Sequence, residues 1–278
     1  MHLRRLVSHP EFTIDQYGTF AWVNAYSDQP HLPSDQDLVQ NDVECAVMLL
    51  KSKNGLPTKP TVWFGDVPET LIANEDGIQY EIRCLNSFHP GLFLDHQRTR
   101  QWLKDHSQGC TLLNLFSYTG SLGISAAMGG AIKTINIDLS NPTTQWAKKN
   151  AELNGLGPDH QFIKGDVFDW TQRFKKKNQT FDIVVSDPPS QSRSDEMHFS
   201  TQKHLDLLHQ RCIDCVAPGG TLITSINTEV ISEKVMIASV HNVAHRLGRK
   251  IKTYTDLPLP DGFESEFRAM KGLRVSFA

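Results

Sequence analysis

Residues 111–138, TLLNLFSYTGSLGISAAMGGAIKTINID, decide how the rest of the chain is read. Thr111 to Leu115 is an apolar run of strand length, Phe116-Ser117-Tyr118-Thr119-Gly120 breaks it, and Ser121 to Met128 is small and helix-compatible. Gly129-Gly130 stops that helix, and Lys133 to Ile137 alternates back into a strand. A strand, turn, helix and strand in this order form a βαβ unit, with two parallel strands and a loop at their carboxyl ends. Gly120-x-x-Gly123 alone is a common accident. Asp138 gives it meaning, because an acid at the tip of the second strand, about twenty residues past the turn, suits the two hydroxyls of a ribose. The stretch reads as half of a nucleoside-binding site.

The alternation continues downstream. Asn141-Pro142 opens a helix that runs to Gly155, and His160 to Ile163 is a strand ending at Gly165-Asp166. Val167 to Phe174 begins the next helix, and Lys175-Lys176-Lys177 is its solvated, dipole-favoured end. Phe181 to Ser186 is an almost wholly apolar strand that runs into Asp187-Pro188-Pro189-Ser190. A helix over 201–216, Pro218-Gly219-Gly220, a strand over 221–225 and a helix over about 229–247 follow. Strands over 250–255 and 272–277 close the chain. The last strand is reached without a crossover helix, so it should be antiparallel. These elements predict an α/β fold: a doubly wound, Rossmann-like, seven-stranded sheet with one antiparallel strand, the class I methyltransferase architecture.

Upstream of this lies a small α+β extension. Residues 12–26 read as a hairpin about Tyr17-Gly18. Ser34 or Asp35 caps a helix whose apolar positions are Leu38, Val43, Ala46, Val47 and Leu50, ended by Gly55 and Pro57. Residues 61–64, 69–73 and 79–84 are further strands. The expected division is 1–88 for the extension and 89–278 for the sheet domain. Asp95 stands where another helix begins, with solvated Arg98 and Arg100 behind it.

Composition narrows the class. In 278 residues, 39% apolar and 21% charged, there is enough apolar material for a sizeable core. No run approaches the length of a membrane helix, and the start lacks the apolar stretch and cleavage site of a signal peptide. Five cysteines without framework spacing fit a reducing cytoplasm. The net charge of −3 does not by itself nominate a nucleic-acid binder.

Three carboxylates, Asp138, Asp166 and Asp187, follow three successive strand ends, which converge on the ligand crevice of such a sheet. Asp138 would take ribose hydroxyls. Asp166, with the Val167 amide, would take an adenine edge, and Asp187-Pro188-Pro189-Ser190 would lie beside a sulfonium methyl, the prolines holding the backbone extended. His209, Cys212 and Cys215 share one helix and lack a fourth ligand, so they read as core packing and no metal is expected.

The stretch from Gly91 to Asp187 resembles the large-subunit ribosomal RNA methyltransferases that act on guanine N7 and cytosine C5. Leu92-Phe93-Leu94-Asp95-His96-x-x-x-Arg100, Leu113 to Ser121 and Asp187-Pro188-Pro189 are most like the guanine-N7 half of the bifunctional bacterial enzyme. The resemblance implies S-adenosylmethionine as cofactor. It implies a binding set of Phe93, Asp95, Arg98, Asn114, Phe116, Ser117, Tyr118, Thr119, Gly120, Asp138, Leu139, Ser140, Asp166, Val167 and Asp187, with Arg98 near the methionine carboxylate. It also implies ribosomal RNA as partner, with Asp187, Pro188, Pro189, Ser190 and Asn227 facing the acceptor. The substrate side departs from the family. No THUMP or PUA module has a counterpart, and Ser225-Ile226-Asn227-Thr228 carries neither a cysteine nor a basic residue. Without a thiol after either strand, methylation at cytosine C5 is disfavoured and a base nitrogen, guanine N7, is expected.

An NAD-dependent dehydrogenase would need G-x-G-x-x-G at 117–123, which is absent. A cofactor-binding RNA or ribosome-binding module without turnover, and a small-molecule or protein acceptor, stay open. The oligomeric state is not legible.

Overall fold

The computed structural model describes residues 2–27, 29–51, 59–193, 198–228, 230–263 and 270–278. The chain divides into two compact units, residues 1–97 with 259–269, and residues 98–258 with 270–278. The boundary read at 88 falls inside the first unit. Arg83 N donates to Pro90 O at 3.0 Å and Tyr17 Oη to Leu92 O at 2.7 Å, which ties residues 90–92 to that unit.

In the first unit, β1 (Leu3–His9), β2 (Phe12–Tyr17) and β3 (Phe20–Ala25) form an antiparallel meander, as the 12–26 hairpin leads one to expect. After α1 (Asp35–Val39), β4 (Cys45–Leu50) pairs parallel with β3, and β5 (Thr61–Phe64) closes the five-stranded sheet in the order β1-β2-β3-β4-β5. The long helix expected from Ser34 is thus corrected. Ser34 does cap, in a capping box with Asp37, but the helix lasts five residues and Asp42 turns left-handed at φ 61°. Cys-Ala-Val-Met-Leu-Leu has no polar face, so it satisfies a buried parallel strand better than a surface helix. Gly55 and Pro57, read as the helix end, lie outside the described residues. β6 (Thr70–Glu75) and β7 (Ile78–Arg83) make a separate hairpin, with Asp76 and Gly77 both left-handed in its turn.

The second unit is entered through a 3-10 turn (Leu94–His96) and α2 (Gln97–His106). Asp95 therefore lies within the turn that leads into α2. Nor are both arginines solvated: Arg98 is exposed but Arg100 is buried. Then come β8 (Thr111–Leu115), α3 (Ser121–Met128), β9 (Lys133–Asp138), α4 (Asn141–Leu153), β10 (His160–Lys164), α5 (Val167–Lys176) and β11 (Phe181–Ser186). A short hairpin, β12 (Gln191–Arg193) and β13 (His198–Ser200), precedes α6 (Thr201–Cys215), β14 (Val216–Ile226), α7 (Glu233–Arg246), β15 (Ile251–Asp256) and β16 (Lys271–Phe277).

The seven-stranded sheet has the order β10-β9-β8-β11-β14-β16-β15, and β16 runs antiparallel to both neighbours. That is the expected α/β architecture with its one reversed strand. β8, β11 and β14 are buried on both faces, as strands of a helix-covered parallel sheet must be. Leu113, Leu115, Val184, Leu222 and Val275 face the core shared with α5, α6 and α7. The alternate residues face the other side, where Asn114 Nδ2 donates to Asn136 Oδ1 at 3.0 Å beneath α3. Among the described residues no helix is long and apolar enough to cross a membrane.

Behind β14 lies a buried polar chain. The ring of His209 meets Ser239 Oγ at 2.8 Å and Thr224 Oγ1 at 3.3 Å, and Ser239 Oγ donates to Asp206. Burial pushes His209 down to about 4, so its imidazole is neutral in the folded chain. The unfolded histidine, near 6.5, binds a proton that the native state refuses. Stability is therefore undiminished above pH 6.5 and falls by up to roughly 3 kcal/mol as pH drops from 6.5 to 4. Urea titrations at stepped pH are expected to show this slope in the wild type and a flatter one in His209→Gln. An equal slope in both would remove His209 as its source. Cys212 and Cys215 lie in the same core, as expected of packing residues.

Candidate active site

The turn after β8 is held in a shape few sequences adopt. Phe116, Tyr118 and Gly120 have φ of 56°, 48° and 83°, so three of five residues are left-handed. Such a conformation persists only when its surroundings fix it. Ser117 N donates to Ile137 O at 2.9 Å, Gly120 N to Ser117 O at 2.8 Å, and Asn150 Nδ2 to Thr119 O at 3.1 Å. A side chain at Gly120 would press on the Phe162 ring at 2.7 Å.

Asp138, at the tip of β9, ties this turn to the next helix. Its Oδ2 accepts from Tyr118 N and its Oδ1 from Ser140 N, both at 2.9 Å. Each oxygen keeps a lone pair for a further donor. Burial pushes the carboxyl above its usual range, and the two amides pull against that rise. Beside it, Leu139 is an exposed apolar side chain, and Ser140 caps α4 through Thr143 N. A carboxylate next to an apolar platform fits a ribose and the face of a flat base.

Asp166 caps α5. Its Oδ1 accepts from Phe168 N at 2.8 Å and Asp169 N at 3.3 Å, while Oδ2 accepts nothing from any described residue. The helix cap and an open acceptor thus coexist on one side chain.

The loops after β11 and β14 are laced together. Asp187 Oδ1 accepts from Ser225 Oγ at 2.6 Å, and Ser190 Oγ donates to Asn227 O at 3.3 Å. Thr201 Oγ1 donates to Pro189 O at 2.8 Å, and Lys271 Nζ to Thr228 O at 2.8 Å. Asn227 is exposed. The hairpin β12–β13 is anchored over this region by Phe199, whose ring lies 5.7 Å from Phe116 and 5.3 Å from Phe168.

Not all expected site residues converge. Residues 116–120, 138–140, 166–167, 187–190 and Asn227 all lie at or just beyond the carboxyl ends of β8, β9, β10, β11 and β14. Asn114 lies inside the sheet, buried against Asn136. Phe93 and Asp95 belong to the first unit. Sequence reasoning missed Ser225 as the partner of Asp187 and Phe199 as the aromatic anchor. The first was legible only as one of two adjacent hydroxyl residues, Thr224 and Ser225, at a strand end. Among the described residues, no group of three or more His, Cys, Asp or Glu is placed to hold a metal ion.

The comparisons with known proteins agree with this geometry. Residues 47–258 match the family described as S-adenosylmethionine-dependent methyltransferase. The ribosomal RNA large subunit methyltransferase I of Aeromonas salmonicida is 29% identical, over 96% of this chain and 71% of its own length. The methyltransferase K/L of Hahella chejuensis is 38% identical over 55% of this chain, which spans only 21% of that larger protein. An S-adenosylmethionine-dependent methyltransferase structure from Streptococcus mutans superposes with a TM-score of 0.82 at 25% identity, over 98% of this chain and 74% of that one. A further methyltransferase, crystallised with S-adenosylhomocysteine, matches with the same TM-score and identity over 96% of this chain and 71% of that one. With the family's pattern running through most of its length, the chain belongs to the S-adenosylmethionine-dependent methyltransferases.

Proposed function

We propose that this enzyme methylates large-subunit ribosomal RNA at a base nitrogen, with guanine N7 the favoured acceptor. The names of the two relatives support the RNA class. The nitrogen assignment is carried by one observation: the laced loops after β11 and β14 offer a carboxylate, hydroxyls and a carboxamide, and no thiol. A pyrimidine C5 acceptor needs a thiolate to add to its ring. Cys212 and Cys215 are buried, and burial pushes both thiols up to about 12, so neither is a nucleophile near neutrality. Guanine N7 already carries a lone pair and needs only positioning and charge stabilisation.

The cofactor supplies an electrophilic methyl group. The chain's own part is to hold it: Asp138 for the ribose hydroxyls, Leu139 for the adenine face, Asp166 Oδ2 with the Val167 amide for the adenine edge, and the 116–120 turn with Ser140 around the rest. Asp187, fixed by Ser225 and the paired prolines, orients the base and favours the cationic N7 product. The five free cysteines support a reducing compartment, the cytoplasm.

Two measurements test this reading. Asp138→Ala is expected to weaken S-adenosylhomocysteine binding by about 1–3 kcal/mol in calorimetry, because the ribose loses a charged acceptor. Unchanged affinity would take Asp138 out of the site. RNA containing 5-fluorocytosine is expected to form no covalent complex, and a variant lacking all five cysteines is expected to keep methyl transfer. A trapped protein–RNA adduct would overturn the nitrogen assignment.

A further inference from the structure

The net charge of −3 conceals an uneven distribution. The first unit has seven Lys and Arg against sixteen Asp and Glu, or −9; the second has twenty-one against fifteen, or +6. A polyanion is therefore met by the methyltransferase unit and repelled by the other. Within the second unit, α2, β14 and β16 enclose a cavity of about 200 Å³ that contains no residue of the cofactor turn, of the acidic strand tips or of the laced loops. Arg98 and Arg274 both line it, and Ile223, Leu257 and Pro258 form its apolar wall.

Arg274 is unusual among these. Its guanidinium lies 4.7 Å above the Trp102 ring, which is itself stacked on His106 at 4.5 Å and 11°. Arg274 makes no hydrogen bond or ion pair with any described residue. A guanidinium held against a ring through its central carbon can still present its N–H fork to a phosphate in two-pronged fashion. Asp105 also lines the cavity, and its two oxygens accept from Gln101 Nε2 at 2.9 and 3.0 Å. The cation is thus pre-positioned, with no anion bound to it among the described residues.

We propose that this cavity is an anion site that takes a backbone phosphate of the RNA substrate, with Arg274 and Arg98 as its grip and the apolar wall against the sugar. The proposal rests on the RNA reading above and assigns Arg98 to RNA in place of the cofactor's carboxylate. The site positions RNA and takes no part in the methyl transfer itself.

Two probes separate its failure from that of the RNA reading. The first is inorganic phosphate, compared with chloride at equal ionic strength, read as the thermal midpoint of the full chain. The second is deproteinised large-subunit ribosomal RNA, with affinity measured at several salt concentrations. Phosphate is expected to raise the wild-type midpoint and to leave Arg274→Gln and Arg98→Gln unmoved. Each variant is expected to bind the RNA about five- to tenfold more weakly, and the slope of log affinity against log salt should shrink by about 1 for each phosphate no longer neutralised. Affinity for S-adenosylhomocysteine should stay at the wild-type value in Arg274→Gln, which also reports that this variant folds. Arg274→Lys keeps the charge but loses the fork, so it should fall between wild type and Arg274→Gln. A phosphate response identical in wild type and variants overturns the site, whatever the RNA does. A site that responds to phosphate in a protein that ignores RNA overturns RNA as its occupant and, with it, the RNA reading. RNA affinity and salt slope unchanged in the variants overturn the RNA assignment of the site alone.

Discussion

Replacing Asp187 by alanine is expected to lower methyl transfer by about 10²–10³-fold, while S-adenosylhomocysteine binds within a factor of about three of wild type. The carboxylate sits at the carboxyl end of β11, held by Ser225 Oγ at 2.6 Å and followed by two prolines that restrict its backbone. A group so fixed loses little freedom when the acceptor base arrives, and its charge acts where the base becomes cationic. Both effects belong to the transition state, so turnover should fall and ground-state binding should not. Ser225→Ala, which frees the carboxylate without deleting it, should cost only about tenfold. Single-turnover transfer of labelled methyl to deproteinised large-subunit RNA measures the first quantity and calorimetry the second. Parallel losses in turnover and cofactor affinity would instead make Asp187 a cofactor ligand.

Gly123→Ala is expected to destabilise the second unit by about 3–5 kcal/mol, a fall of roughly 10 °C in its thermal midpoint. A Cβ at this position would collide with the Asn136 carboxamide. That carboxamide cannot step aside cheaply. It accepts from Asn114 Nδ2 at 3.0 Å and donates to Thr134 Oγ1 and Gln161 O, both at 3.2 Å. The side chain would either break buried hydrogen bonds or push α3 off the sheet, and with α3 the turn that precedes it. Asn136→Ala in the Gly123→Ala background should recover part of the loss, because it removes the obstacle. A double variant no more stable than the single one would mean that the clash is not the cause.

The second unit was legible because its signals are local and agree with one another. Thr111–Leu115, Gly120, Asp138 and the apolar strand Phe181–Ser186 each state their role within a few residues, and the observed elements match them closely. The first unit was less so. Leu38, Val43, Ala46, Val47 and Leu50 satisfy helical spacing and a continuous strand run at once, and only pairing with β3 resolves the choice. β1 has a mixed pattern, LRRLVSH, and becomes a strand because β2 is there to receive it. In the site, Asp138, Asp166 and Asp187 could be found from strand ends, but Ser225 and Phe199 act through contacts 38 and 83 residues away along the chain. The charge of the methyltransferase unit was hidden by summation: the partition that separates −9 from +6 is a property of the fold.

The path of the chain has one more consequence. The polypeptide leaves the first unit after Gln97, returns to it for residues 259–269 between β15 and β16, and leaves it again. On that return Gly262 O accepts from Ser8 Oγ at 2.7 Å, and Phe263 lies 4.1 Å beneath the Arg5 guanidinium. The two units are thus joined by three covalent crossings, and a protease that cuts at one of them releases neither. Gene fusion, domain shuffling or truncation at residue 97 would carry away the partners of Gly262 and Phe263 and leave that segment stranded. The acidic unit is therefore inherited together with the catalytic one, and neither can be traded as an independent cassette.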